Sequence, residues 1–337
     1  MNEQHKYCET DKMSDLICDN YSLLMVMSRF GLSLGFGDKS VKEVCEAQGV
    51  DCPTFLAVAN FISKGQCTYS EEGDHFSISA LMDYLKRAHT YFLDFNLPLI
   101  RRKLIEAIDC SDADNVAYLI LKFFDEYAKE VCRHMEYENQ AVFTYVEKLL
   151  QGCPADDYDI ATFASKHNQI DTKLKELKNI IIKYYPEKGN DNLLNTVLFD
   201  IFNCEHDLAT HCQVEDYLFV PAVAQIERRL RDEHFVACGS DGASTSRSEC
   251  LPRAEGEGKG EGDEQESLSL REKEIIACVA KGMINKVIAD RLCLSVHTVI
   301  THRRNIARKL QIHSPAGLTI YAIVNKLVKL SDIKEVL

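Results

Sequence analysis

One segment sets the architecture of the C-terminal part: Leu268–Leu327, with the sequence LSLREKEIIACVAKGMINKVIADRLCLSVHTVITHRRNIARKLQIHSPAGLTIYAIVNKL. Ser269 is followed three residues later by Glu272, a spacing that predicts a capping box at the start of a first helix. Gly282 predicts the end of that helix, and Ser295 is a suitable N-cap for a third helix. Apolar residues between them predict a short second helix; they are Ile284, Val287, Ile288 and Leu292. The pattern predicts a helix-turn-helix.

The predicted third helix has two different faces. Its apolar face is expected to carry Val296, Val299, Ile306 and Leu310. Its other face carries hydroxyl, amide, imidazole and guanidinium groups, which suit base edges and phosphates in a major groove. These residues are His297, Thr301, Arg304, Asn305 and Arg308. The alternative is an ordinary three-helix bundle whose arginines are merely solvated.

The segment resembles the LuxR-type DNA-binding domain over about 60 residues. It has the family's L-S-x-R-E-x-E opening, its I-A-x-x-L scaffold helix and its S-x-x-T-V-x-x-H-x-x-N-I-x-x-K-L recognition helix. The resemblance implies that Ile300, Thr301 and Arg304 face bases, and Thr298 completes the expected DNA-binding set. Family members often have Lys where this chain has Ile300. The resemblance also implies a homodimer through the last helix, roughly Pro315 to Lys326, with contacts from Leu318, Tyr321, Ala322 and Val324.

Charge is distributed unevenly along the 337 residues, whose net charge is −13. From Leu268 onward there are 12 Lys and Arg against 5 Asp and Glu, so this part carries +7 and the upstream part −20. Double-stranded DNA would be repelled by the upstream part and attracted to the C-terminal part. This asymmetry favours one local DNA-binding face.

The cysteines and the N-terminus indicate the cellular compartment in which the protein is expected. The 14 cysteines include no C-x-x-C pair, the N-terminus is polar and acidic, and no apolar run approaches membrane-spanning length. We therefore expect a cytoplasmic protein without a membrane segment, with mostly buried thiols.

Residues 75–235 carry four long helical patterns without an intervening strand pattern, which predicts a four-helix bundle. The predicted helices are 77–108, 113–151, 159–185 and 192–232. Several tyrosines are expected to line this bundle, and one of them could hydrogen-bond a metal-bound ligand; they are Tyr118, Tyr127, Tyr137 and Tyr217.

Two of the predicted bundle helices bear matching candidate metal ligands. His134 and Glu138 lie four residues apart on one helix, and His211 and Glu215 have the same spacing on another. The two remaining helices each offer one histidine, His89 and His167. Four imidazoles and two carboxylates facing inward could hold two metal ions, with the carboxylates suited to bridging them. The alternative is a set of satisfied or surface histidines in a plain bundle.

The order H…HxxxE…H…HxxxE resembles the hemerythrin-like domain, in the version found in iron–sulfur cluster repair proteins. The resemblance implies a di-iron centre (Fe2+/Fe3+) with open positions for a small gaseous or redox ligand. Ferritin-like sites use Glu-x-x-His instead, so that relationship is disfavoured.

Residues 1–70 are expected to form a small helical domain. Its first helix carries an apolar stripe closed by Gly31, namely Tyr21, Leu23, Leu24, Val26, Met27 and Phe30. A second helix is predicted over Ser40–Ala47, and a third starts at Pro53. The run RFGLSLGFGDKSVKEVCEAQGVD resembles the N-terminal domain of the repair proteins, but Gly35 and Phe36 stand where that family has two cysteines.

Residues 238–267 are rich in Gly, Ser and Glu and predict a flexible linker before a DNA-binding domain at 268–337. The sequence as a whole therefore predicts an all-α, non-enzymatic transcriptional regulator with no catalytic residues, which senses oxygen, nitric oxide, redox state or iron. One alternative is a di-iron repair or nitric oxide-handling enzyme with an appended DNA-binding domain. Another is a regulator whose bundle binds no metal and responds to a partner protein.

Overall fold

The computed structural model describes residues 6–64, 76–108, 115–153, 158–164, 171–185, 191–237 and 268–333. Within these ranges the fold is all-α, as predicted, and the only β-type pairing is an isolated bridge between Lys12 and Ser40. The chain divides into two compact units, Met1–Arg228 and Arg229–Leu337. The predicted linker, 238–267, lies outside the described residues.

The first unit begins with four short helices. They are α1 (Met13–Asp19), α2 (Leu23–Phe30), α3 (Val41–Gln48) and α4 (Cys52–Lys64). Gly31 ends α2 in the left-handed region, with φ of 78°, and Ser40 opens α3 with a capping box to Glu43. The expectation that Tyr21 and Leu24 belong to the apolar stripe is wrong, because these side chains are 78% and 40% exposed. Tyr21 precedes α2, and Leu24 lies about 100° around the helix from its buried neighbour at position 23.

The remaining helices of the first unit form the predicted bundle. They are α5 (Ile78–Thr90), α6 (Leu97–Ala107), α7 (Asn115–Tyr137), α8 (Phe143–Leu150), α9 (Ile160–Ala164), α10 (Asp171–Tyr184), α11 (Asp191–Val214) and α12 (Val220–Ala237). The boundary between the two units falls within α12, after Arg228. Three π-helical segments, at Tyr91–Asn96, Glu138–Val142 and Glu215–Phe219, join α5 to α6, α7 to α8 and α11 to α12. Each joined pair therefore corresponds to one of the long helices that the sequence predicts.

The N-terminal helices pack against the bundle within the same unit. The Phe30 ring lies 4.9 Å from that of Tyr84, and the rings of Phe61 and Tyr217 are 6.1 Å apart. The backbone N–H of Ser77 also donates to Thr54 Oγ1 at 2.9 Å. Aromatic pairs of this kind contribute about 0.5–1.5 kcal/mol beyond the area they bury, so these helices are held to the bundle by specific contacts.

The second unit contains the helix-turn-helix. Its helices are α13 (Leu270–Ala280), α14 (Asn285–Leu292), α15 (Val296–Leu310) and α16 (Pro315–Val324), followed by a 3-10 turn at Leu330–Ile333. The capping box of Ser269 with Glu272 and the N-cap at Ser295 are both confirmed. Lys309 Nζ reaches across to Glu272 at 3.0 Å and ties α15 to the start of α13.

Two expectations about this unit are wrong. Val296 is 42% exposed, because it occupies the first helical position of α15 and lies outside the core that Val299, Ile306 and Leu310 fill. Leu318 and Ala322 were expected at a dimer contact but are buried, since α16 packs against α13. Among the described residues, no helix is both long enough and apolar enough to cross a bilayer.

Candidate metal centre and nucleic-acid interface

Four candidate ligands meet inside the bundle: His89 on α5, Glu138 after α7, His211 on α11 and Glu215 after α11. Each offers one ligand atom, and these atoms all lie within 4.8 Å of one another. Their side chains are at most 2% exposed. Ionised carboxylates are seldom buried so deeply unless they are paired or bind a metal. The donor set and its burial therefore fit a cation site.

The distances in the cluster agree with ligands that share a cation. His89 Nε2 lies 3.1 Å from His211 Nε2 and 3.2 Å from Glu138 Oε2. His211 Nε2 lies 3.3 Å from Glu215 Oε1. With metal–nitrogen bonds of about 2.0–2.1 Å, two ligands at right angles are roughly 3 Å apart. Two imidazole nitrogens pointing at each other at this separation are well placed for such coordination.

The electrostatics of the cluster centre on His89. Burial disfavours its charged form, but hydrogen bonds and charge from Glu138 and Glu215 outweigh burial and raise the pKa of His89 to about 9. Without a metal, a proton on His89 offsets part of the negative charge of the two carboxylates. A metal cation would replace that proton, because ligands bind metals in their deprotonated form.

His134 extends the cluster towards the surface. Its Nε2 lies 2.7 Å from Glu138 Oε1, and its side chain is 22% exposed. Glu138 therefore lies between His134 and His89, while Glu215 Oε1 lies 3.3 Å from His211 Nε2 and 3.9 Å from His89 Nε2. The sixth candidate, His167, lies outside the described residues.

The π-helical segments coincide with the turns that bear the candidate ligands. Glu138 and Glu215 are the first residues of two of these segments, and the third begins two residues after His89. A π turn closes i→i+5 hydrogen bonds and occurs mostly as a single wide turn, often at functional sites. The helices thus widen where the sequence places metal-ligand chemistry.

Side chains that the sequence did not single out fix the orientation of the imidazoles. Asn139 Oδ1 lies 3.0 Å from His89 Nδ1, which can donate to it and so direct Nε2 into the cluster. Phe143 stacks on His89, with ring centroids 5.5 Å apart, and Phe92 presents an edge-type contact to His211 at 5.9 Å. Asn139 directly follows Glu138, but sequence spacing alone gives no reason to orient it towards a histidine on another helix.

The structure corrects the expectation about the tyrosines. Tyr118, Tyr137 and Tyr217 are 59%, 39% and 56% exposed, so they do not line the bundle interior, whereas Tyr127 is buried. In α7, Ala117 and Leu119 on either side of Tyr118 are buried, and the Tyr118 ring points towards solvent. Tyr84, which the sequence reasoning passed over, is fully buried.

The residues expected to contact DNA lie along α15. His297, Thr301, Arg304 and Arg308 are exposed, and Thr298, Ile300 and Asn305 are partly buried. Thr298 lies next to the N-cap, since its backbone N–H donates to Ser295 Oγ at 3.0 Å. Arg303 was not singled out from the sequence; it donates to Asn285 Oδ1 at 2.6 Å and fixes α15 against α14.

Comparisons with known families match two separate parts of the chain. Residues 80–223 match the family described as "Hemerythrin HHE cation binding domain". Residues 266–322 match "Bacterial regulatory proteins, luxR family". The first match contains all four residues of the buried cluster, and the second contains the whole of α13, α14 and α15.

The chain is similar to curated proteins named NreC over the helix-turn-helix domain. "Oxygen regulatory protein NreC" of Staphylococcus carnosus (strain TM300) is 46% identical over 61 residues, covering 18% of this chain and 28% of the relative. The protein of that name from Staphylococcus aureus (strain JH9) is 45% identical over 62 residues, covering 18% and 29%. The chain thus spans less than a third of the length of these relatives. It joins a hemerythrin HHE cation binding domain to a LuxR-family helix-turn-helix domain.

Proposed function

We propose that this chain is a one-component transcriptional regulator of the cytoplasm whose bundle holds a pair of iron ions. Oxidation or binding of a small gas at that centre alters how the C-terminal unit binds promoter DNA. The observation that carries the proposal is the buried His–Glu cluster, in a chain that also has a DNA-binding domain. The division into 1–70, 75–235, 238–267 and 268–337 is part of this proposal.

The proposed ligands are His89, His134, Glu138, His167, His211 and Glu215. Support for two ions comes from Glu138, because its Oε2 faces His89 and its Oε1 faces His134, so its two oxygens could serve two different ions. Glu215 is proposed as the second carboxylate ligand, with Oε1 next to His211 and His89. Iron would supply a reversible change of oxidation state and free coordination positions for oxygen or nitric oxide. The chain itself contributes buried side chains, flanking aromatic rings and a fixed ring orientation at His89.

On the DNA side, the proposed contacts are His297, Thr298, Ile300, Thr301, Arg304, Asn305 and Arg308. The exposed guanidinium groups support phosphate and base contacts in a major groove. We also propose a homodimer on DNA through α16. Because Leu318 and Ala322 are buried, we expect the dimer contacts to come from the partly exposed Tyr321 and Val324.

The test compares promoter binding by iron-loaded and metal-free protein, under nitrogen, oxygen and nitric oxide, after metal analysis of the purified full chain. We expect His211→Ala to lose iron and to abolish the difference between the two forms. His206→Ala is the matched control, because His206 is an exposed histidine on the same helix. Equal promoter affinity of loaded and metal-free protein under all three gases would remove the sensing function.

A second candidate is a di-iron enzyme of the repair or nitric oxide-handling type. It is favoured by the N-terminal helices, which pack on the bundle within one unit. The absence of cysteines at Gly35 and Phe36 counts against it. Catalytic consumption of nitric oxide by the iron-loaded chain, lost in His134→Ala, would favour this candidate; stoichiometric binding without turnover would favour the regulator.

A further inference from the structure

Arg29 is a buried arginine that the proposed function leaves unexplained. It lies on α2, and its side chain is only 2% exposed. Its Nη2 donates to Asp207 Oδ2 on α11 at 2.6 Å, and the Asp207 side chain is 19% exposed. Burying a charge costs several kcal/mol even after relaxation, so an arginine retained here indicates a specific role or a well-formed partner set.

Three aromatic rings surround the guanidinium group. Its Cζ lies 5.1 Å from the centroid of Phe92, 5.6 Å from that of Tyr91 and 5.9 Å from that of Tyr84. All three rings belong to α5 or to the π-helical segment that follows it, the same stretch that carries His89. A broad, planar guanidinium can contact several rings at once, which the compact ammonium group of lysine does not reproduce.

Two of the contacts of Arg29, with Asp207 and with Phe92, connect it to His211. Asp207 lies four residues before His211 on α11, on the same face of the helix. Phe92, beneath the guanidinium, packs against the His211 ring with an interplanar angle of 67°. An arginine of the N-terminal helices thus contacts a side chain one helical turn before His211 and a ring that packs against the His211 ring.

His211 depends on packing more than His89 does. His89 Nδ1 has a partner in Asn139, whereas His211 Nδ1, although buried, has no hydrogen-bond partner among the described residues. Metal-ligating histidines usually donate this second N–H to an acceptor that fixes the ring. Here the neighbouring rings of Phe92 and His89 must supply that constraint.

We infer that Arg29 is a positioning residue for the metal centre, through which the N-terminal helices hold His211 in its ligating orientation. The inference rests on metal binding as proposed above. Coupling is reciprocal: if α2 packing strengthens metal binding, bound metal must strengthen α2 packing by the same factor. Metal loading should therefore protect the α2 amides from hydrogen exchange, although α2 contains no ligand.

The test uses the full chain and Co2+, whose visible absorption reports the ligand field. Arg29→Lys keeps the charge but loses the planar guanidinium group that contacts the three rings. The double variant Arg29→Met with Asp207→Asn removes both charges, so that neither is left buried alone. The matched control is Lys103→Met, which breaks the 2.7 Å ion pair between Lys103 and Asp200, also on α11 but outside the contacts of the cluster.

We expect both Arg29 variants to bind Co2+ about 10- to 100-fold more weakly, with altered absorption, and to lose the metal-dependent protection of α2. Lys103→Met should keep all three properties of the parent. Parent-like affinity and spectrum in Arg29→Lys would overturn the inference while leaving the proposed function intact. Failure of the parent chain to bind Co2+ or iron would overturn both.

Discussion

Replacing Asn139 by leucine tests whether the hydrogen bond to His89 sets the strength of metal binding. The Asn139 side chain is partly buried, and its Oδ1 lies 3.0 Å from His89 Nδ1. Leucine has the same branching as asparagine but no acceptor, so it leaves a buried ring N–H without its partner. His89 itself is 1% exposed, which prevents water from simply replacing the amide.

The expected magnitude follows from that unpaired group. A buried donor that loses its partner costs about 1–3 kcal/mol. If the metal-free ring can reorient while the metal-bound ring cannot, most of this cost falls on the bound state. Metal affinity should then decrease by roughly 5- to 150-fold, in line with the 10- to 100-fold effects usual for groups that orient ligands.

The assay is anaerobic competition for Fe2+ against a chromogenic chelator, with circular dichroism as the check on folding. Asn139→Asp keeps an acceptor and adds negative charge, so it should bind Fe2+ at least as tightly as the parent. Gln140→Leu, at an exposed neighbouring position, should leave affinity unchanged. If the leucine variant at position 139 binds Fe2+ as tightly as the parent, ring orientation by this hydrogen bond contributes nothing.

Three further outcomes are expected. Burial alone would raise the pKa of Glu272, but hydrogen bonds from Ser269 and Lys309 lower it. Glu272→Gln should therefore lower the free energy of unfolding by about 1.5–3 kcal/mol near neutral pH. This difference should be fully present above the ordinary pKa of glutamate and should disappear as the pH falls through the lowered pKa of Glu272 in the folded chain, as thermal unfolding at a series of pH values would show. Arg304→Ala should weaken promoter binding by about 1–3 kcal/mol in fluorescence anisotropy, and a smaller loss on unrelated DNA would identify a base contact. Tyr145→Phe removes a buried 2.6 Å hydrogen bond to a glutamate on α12 and should destabilise the first unit by about 1–3 kcal/mol in urea unfolding.

The local signals in the sequence predicted the helices well. Capping by Ser269 and Ser295 depends on residues only a few positions away, and so does termination by Gly31. Burial at helix ends was predicted less well. Val296 satisfies the apolar period of α15, but its exposure depends on where the neighbouring helices stop, which no local pattern records.

The candidate site was predictable to the extent that it depends on one helix at a time. The spacing of His134 with Glu138 places two potential ligands on one face of any helix, whatever surrounds it. The orienting contacts of Asn139, Phe92 and Arg29 each join helices far apart in sequence, so their roles appear only when the bundle is assembled. Metal occupancy and the full ligand set stay predictions.

The π-helical segment Glu138–Val142 has a consequence for comparing related chains. A wide turn accommodates one residue more than a regular α-turn, which offsets the downstream half of the helix by about 100° from the phase it would otherwise keep. Glu138 faces the cluster before this offset, and Phe143 stacks on His89 after it. The number of residues between Glu138 and Phe143 is therefore as constrained as their identity. In a homologue that is one residue shorter here, both residue types would be present, but one of the two side chains would point away from the cluster.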